Sequence, residues 1–159
     1  MRFPSLARHA RAAILLPSPR SRLRRAVLRR AIRVNAEAYN RRDLDAFLAP
    51  FDPQVEVHML WGIGGIGVED RYEGRAGVRQ LLATVEEVWE AARFEPQELI
   101  DFGDRYLLLI ENGGRGRASD AIKKHGIALL MTWRGGMGVR ADFFWRQDQA
   151  LDAAGLREG

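Results

Sequence analysis

A histidine two residues from a glutamate on one strand face can serve as a general base, and Glu56 and His58 make such a pair. The imidazole titrates near neutrality, and a carboxylate beside it holds the ring and raises its basicity. A second candidate, Asp142, alternates with Arg140, Phe144 and Arg146, opposite Ala141, Phe143 and Trp145. Burial in an apolar pocket would drive its carboxyl toward the neutral form, whereas a neighbouring Arg146 acts the other way. Together His58 and Asp142 suit proton removal next to a carbonyl, provided both groups point into one hollow that excludes water. The plainer alternatives are a hydrogen-bonded wall histidine and an Asp–Arg pair closing a sheet.

Large side chains from separate segments could line that hollow: Tyr39, Trp61, Trp89, Met131, Trp133 and Phe144. Most are expected in the core, with Tyr39, Trp61 and Phe144 the ones placed to stack on a flat ring. The full binding set expected is Asn35, Tyr39, Glu56, Trp61, Trp89, Phe144 and Arg146. His125, beside Lys123 and Lys124, reads as a solvent residue, and His9 belongs to the basic start of the chain. With three scattered histidines and no cysteine, no metal site and no cofactor are expected, nor a thiolate nucleophile. The run Gly62-Ile63-Gly64-Gly65-Ile66-Gly67 spells G-x-G-x-x-G. A dinucleotide fingerprint needs a helix opening inside the motif and a βαβ unit around it. Here two acids, Glu69 and Asp70, intervene before the helix, and the run reads as a flap over a pocket mouth.

The elements that must position these groups are legible from periodicity. Val27, Ala31, Val34 and Ala38, next to Leu28, Ile32, Asn35 and Tyr39, form a helical stripe. Asp43 caps a short helix over Leu44 to Phe51. Val55, Val57 and Met59 alternate with Glu56 and His58, as in a strand with two unlike faces. A third helix starts at Gly74 and carries Val78, Leu81, Leu82, Val85, Val88, Trp89 and Ala92 on one side. Strands follow at Phe94–Phe102, Arg105–Glu111, Gly126–Trp133 and Val139–Arg146, then a closing helical turn over Ala150–Leu156. Helices first and a meander afterwards is the α+β pattern.

Length and charge set the frame. One domain fits 159 residues, and 47% apolar with 29% charged residues is an ordinary globular mixture. The pI of about 10.1 invites a nucleic-acid reading until the charge is located. Residues 1–30 hold nine arginines and no acid, while the remainder holds 16 basic and 21 acidic residues. The body is therefore mildly acidic and lacks the basic groove a phosphate backbone needs, which argues against a nucleic-acid partner. Residues 1–25 read as a disordered basic extension, with a targeting segment, an anionic-surface arm or a misplaced gene start as alternatives. No window is apolar enough for a transmembrane span, and the absence of cysteine fits a reducing, cytoplasmic setting.

The order of elements, with Tyr39-Asn40-Arg41-Arg42-Asp43, Val55-Glu56-Val57-His58, Tyr72-Glu73-Gly74-Arg75 and Ala150-Leu151-Asp152-Ala153-Ala154-Gly155-Leu156, resembles the SnoaL-like branch of the nuclear transport factor 2-like superfamily over residues 26–157. The resemblance implies a cone-shaped α+β barrel, its curved antiparallel sheet wrapped around N-terminal helices and an apolar pocket, often homodimeric through the outer sheet face. It puts His58 where isomerase-like relatives carry a catalytic carboxylate, and Asp142 where cyclase-like relatives keep a pocket acid. Leu129 stands in place of the isomerase acid that donates to the oxyanion, and Asn35 in place of the phenol. The expectation is a small-molecule pocket protein of bacterial type, a cofactor-free lyase or isomerase acting on a hydrophobic carbonyl compound through His58 and Asp142. Its alternative is a non-catalytic ligand-binding or dimerisation module of the same fold.

Overall fold

Ser21 opens the first helix by accepting a hydrogen bond from the backbone N–H of Arg24 at 3.3 Å, as an N-cap serine does. The computed structural model describes residues 21–60, 69–118 and 122–155. In chain order the elements are α1 (Arg22–Asn40), α2 (Leu44–Leu48), β1 (Phe51–Leu60), β2 (Arg71–Glu73), α3 (Gly74–Val88), β3 (Trp89–Asp101), β4 (Arg105–Gly116), β5 (Ile122–Arg134), β6 (Met137–Phe144) and α4 (Gln147–Ala153). Trp61 and the glycine-rich run 62–67 lie outside the described residues, as do residues 1–20.

The strands form one curved, open sheet in the order β2-β1-β6-β5-β4-β3. Every junction is antiparallel except β1 against β6, which is parallel and sets His58 level with Asp142. The sheet is thus mixed, because the chain leaves β1 on one side and returns to its edge only after the β3–β4–β5 meander. Several expected boundaries move. The second helix stops at Leu48 and Phe51 opens β1; the third helix stops at Val88, so Trp89 and Ala92 sit on β3 instead of the helix; and Arg71–Glu73 is a short edge strand paired to β1.

Helices α1, α2 and α3 lie on the concave face. Leu28, Ile32, Tyr39, Phe47, Val78 and Leu81 pack there against Val55, Val57, Met59, Leu108, Ile127, Leu129, Met131 and Ala141. A smaller cluster on the convex face joins Leu107, Ala128, Leu130 and Phe144 to Ala150 of α4. Strand alternation makes this possible: residues i and i+2 share a face, and each strand buries its more apolar set inward.

Four polar side chains fasten the helices to the sheet. Arg24 of α1 makes a buried two-pronged ion pair with Asp101, at 2.6 and 3.1 Å, and donates to the Gly103 carbonyl at 2.6 Å. The folded domain therefore begins at least four residues before the boundary at 26. At the other end of α1, Asn40 brackets the backbone of Phe94, donating to its carbonyl at 3.1 Å and accepting from its N–H at 2.8 Å. Arg42 donates to the carbonyls of Tyr39 (3.1 Å) and Ala92 (2.9 Å) and pairs with Glu86. Arg75 donates to the Phe51 carbonyl and so ties α3 to β1. Gly74 has φ +68°, and a Cβ there would meet the Pro53 carbonyl at 3.1 Å; only glycine enters α3 from β2 without strain.

Candidate functional site

Between the helices and the concave face lies a cavity of about 160 Å³. It is of the size class that takes a single ring when walled by aliphatic and aromatic groups. Helix α1 contributes Leu28, Ile32, Asn35 and Tyr39 to its wall, α3 Val78, Leu81, Leu82 and Val85, and the strands Val57, Met59, Tyr106, Leu108, Ile127, Leu129, Met131, Trp133, Ala141 and Phe143. No aspartate or glutamate is among the lining residues.

Asn35, Tyr39 and Trp89 line the cavity. Glu56, His58, Asp142, Phe144 and Arg146 do not, and this corrects the sequence reading. His58 and Asp142 are indeed brought together, as register partners in the β1–β6 ladder. Their neighbours Val57, Met59, Ala141 and Phe143 take the inner face, so the parity of the strand turns both polar groups outward. The reason is hydrophobic: Val57 and Met59 gain far more from leaving water than Glu56 and His58, and a face can be buried only as a whole. Phe144 joins the outer apolar cluster under α4. Arg146 is exposed and pairs with Asp148, which holds the Asp148 carboxyl below the usual carboxylate range.

The outward pair has partners of its own. His58 Nε2 lies 3.1 Å from Glu56 Oε2. That hydrogen bond first, and the Arg71 guanidinium second, lower the Glu56 pKa. Arg71 reaches both Glu56 (3.4 Å) and Glu73 (2.7 Å). Asp142, 7% exposed, accepts from Arg140 Nε with both carboxylate oxygens at 3.0 Å. This strip is a closed set of charge pairs on the sheet exterior.

The histidine that faces the cavity is His125, which the sequence reading put in solvent. It sits on β5 two residues before Ile127 and four before Leu129, so it shares their inner face. Its ring stacks on Trp145 at 4.0 Å between centroids and 26° between planes, and Nε2 lies 3.1 Å from the Trp145 carbonyl oxygen. A carbonyl only accepts, so in the neutral ring Nε2 carries the proton and Nδ1 the lone pair. Asn112 is its register partner across the β4–β5 ladder, also lines the cavity, and its side-chain amide has no hydrogen bond to another described residue. The signal that would have found His125 is the phase of Ile127, Leu129 and Met131; Lys123 and Lys124 obscured it.

Further polar groups border the cavity. Trp133 Nε1 is a buried donor without a partner among the described residues. Burial raises the pKa of Tyr106 well above its ordinary value, and it raises that of Tyr39 despite the opposing charge of Arg42. Both phenols therefore stay protonated and able to donate at neutral pH. Asn35 donates to the Phe47 carbonyl at 2.7 Å, which leaves its amide oxygen for an incoming donor. Among the described residues no three His, Asp or Glu side chains are grouped as metal ligands would be.

A family model described as SnoaL-like domain matches residues 32–147. Among curated proteins none matches the chain in sequence. Solved structures do. TerC, co-crystallised with polyporic acid, is 23% identical and superposes with a TM-score of 0.65, covering 76% of this chain and 92% of that one. An NTF2-like protein of unknown function from Burkholderia pseudomallei has the same TM-score and coverage at 21% identity. A protein of ketosteroid isomerase-like fold from Catenulispora acidiphila, in complex with trimethylamine, is 17% identical at a TM-score of 0.61, covering 79% of this chain and 92% of that one. At these identities the likeness is one of fold.

Proposed function

The chain belongs to the SnoaL-like domain family, and from that premise we propose that it takes a small hydrophobic carbonyl compound into the concave cavity and acts on it as a lyase or isomerase, with His125 as the base. One observation carries this reading. His125 is the histidine on the cavity wall, and the Trp145 carbonyl fixes its tautomer so that the basic nitrogen is Nδ1. Proton removal from a carbon next to a carbonyl needs such a base within hydrogen-bond reach, a dry site, and a donor for the oxygen on which charge develops. Asn112, level with His125 across the β4–β5 ladder, and Tyr39, whose ring packs on Phe94 beside Asn112, are the donors at hand. The flat aromatic walls, Tyr39, Trp89 and Trp145, suit a ring substrate. That TerC is crystallised with polyporic acid supports a ligand held in this fold.

A second reading has its own support. Among the described residues the cavity wall carries no carboxylate, and by the family resemblance Leu129 and Asn35 stand where isomerases of this fold have their acid and phenol. The chain is then a binding module without turnover. Two substitutions separate the readings. Ala141→Trp fills the cavity and removes binding of ring ketones, measured by calorimetry, under either reading. His125→Ala abolishes turnover and keeps binding if the enzyme reading holds; if no ring ketone or phenol tried is ever turned over and His125→Ala only weakens binding, the module remains. A homodimer through the outer face belongs to the same reading, supported by the half-buried Ile100, Phe102 and Leu109 there, and light scattering in solution tests it.

A further inference from the structure

The outer side of α1 carries a row of charge that the pocket reading leaves unused. Arg22, Arg29, Arg30 and Arg33 are exposed. At 100° per residue Arg22, Arg29 and Arg33 fall within about 40° of one another, and the row is about 16 Å long. None of the four has an ion pair with a described residue. Many surface arginines elsewhere are matched: Arg42 with Glu86, Arg71 with Glu56 and Glu73, Arg79 with Asp45, Arg140 with Asp142. The contrast is built into the sequence, since the first acidic residue is Glu37 and ten arginines precede it. One of the ten, Arg24, is turned inward to Asp101. Leu23, 62% exposed, stands at the head of the row; the other large apolar side chain exposed among the described residues is Leu60, on a different element.

We propose that this face of α1 docks the protein on an anionic phospholipid surface. A straight row of guanidinium groups matches a plane of phosphates, which they bind with two parallel hydrogen bonds each. An exposed leucine beside them gains by entering the boundary between headgroups and acyl chains. Nucleic acid is the weaker match. The exposed positions of the helix offer arginine, leucine, alanine and one glutamate, with no aromatic ring to stack on a base and no amide to read one. The mildly acidic body orients the docked molecule, since only the α1 side is attracted.

The test uses the full chain and vesicles of phosphatidylcholine with or without phosphatidylserine. The protein is expected to sediment with the mixed vesicles, to release as salt rises, and to ignore phosphatidylcholine alone. Each arginine near the surface is worth about fivefold in partitioning, so the triple change Arg22→Ala, Arg29→Ala, Arg33→Ala lowers it about a hundredfold. Alanine preserves the helix, and an unchanged melting temperature shows that it has. Arg134→Ala, on the β5–β6 turn, leaves sedimentation within twofold. Equal binding by the triple variant overturns the proposal, as does failure to sediment with phosphatidylserine at low salt. Tighter binding to a duplex oligonucleotide, lost in the same variant, overturns it in favour of nucleic acid.

Discussion

On the inner face of the sheet His125 borders a cavity, one nitrogen tied to a main-chain carbonyl and the other without a partner among the described residues; on the outer face His58 shares Glu56 with Arg71, next to the Arg140–Asp142 pair. Both are histidines on strands with polar neighbours in sequence. The outer one looks more like a catalytic residue, because it has a carboxylate two residues away. What separates them is surroundings: the outer strip is closed among its own charges and reached by water, whereas the inner group faces a low-dielectric hollow in which its second nitrogen has no partner among the described residues. A carboxylate beside a histidine marks a functional pair only when both share a face with a cavity.

The comparison breaks most sharply at the histidines themselves. His125→Ala is expected to lower turnover of a ring ketone by roughly 10²- to 10⁴-fold, while His58→Ala changes it less than twofold; steady-state rates decide, and the opposite ranking would return the chemistry to the outer face. Next in size is packing. Leu129→Ala on the cavity wall costs about 2–5 kcal/mol in denaturant unfolding, because the surrounding helices cannot close the added void. Asp142→Asn on the outer face costs about 1–2 kcal/mol by weakening a charge-assisted bond to Arg140, itself half exposed, and leaves ligand affinity unchanged.

Two smaller effects follow from titration. Burial raises the Tyr106 phenol above its ordinary value, so the folded state holds that proton longer than the unfolded chain. The stability linked to it is complete below about pH 10, the unfolded value, and falls as pH rises beyond it. Tyr106→Phe should flatten that alkaline decline in a series of thermal melts. Glu56 is shifted the other way, chiefly by the hydrogen bond from His58, and its contribution is lost as pH falls through the lowered folded value. In His58→Ala the Glu56 carboxyl should titrate at higher pH by NMR, and an unmoved titration would show that Arg71 alone sets it.

Much of the fold was legible because it rests on local pattern. The stripe of α1, the Asp43 cap and the glycine entry to α3 all follow from residues within a few positions of one another. The family resemblance held as well, over residues 32–147. The boundary at Val88 was misread because Trp89 and Ala92 continue the apolar spacing of the helix, while the pairing of Trp89 with Gly116 that makes it a strand is distant in sequence. The buried Arg24–Asp101 pair spans 77 positions, and a lone arginine among arginines gave no hint of it.

By itself the sequence determined which residues share a strand face: 56 with 58, 140 with 142, 125 with 127 and 129, since the two-residue period is a property of the backbone. Only the tertiary structure decided which face looks inward, because that choice sums the apolar area of six strands and three helices packed at once and no single strand records it. The polar faces of β1 and β6 went outward for that reason, and the histidine left at the cavity came from β5.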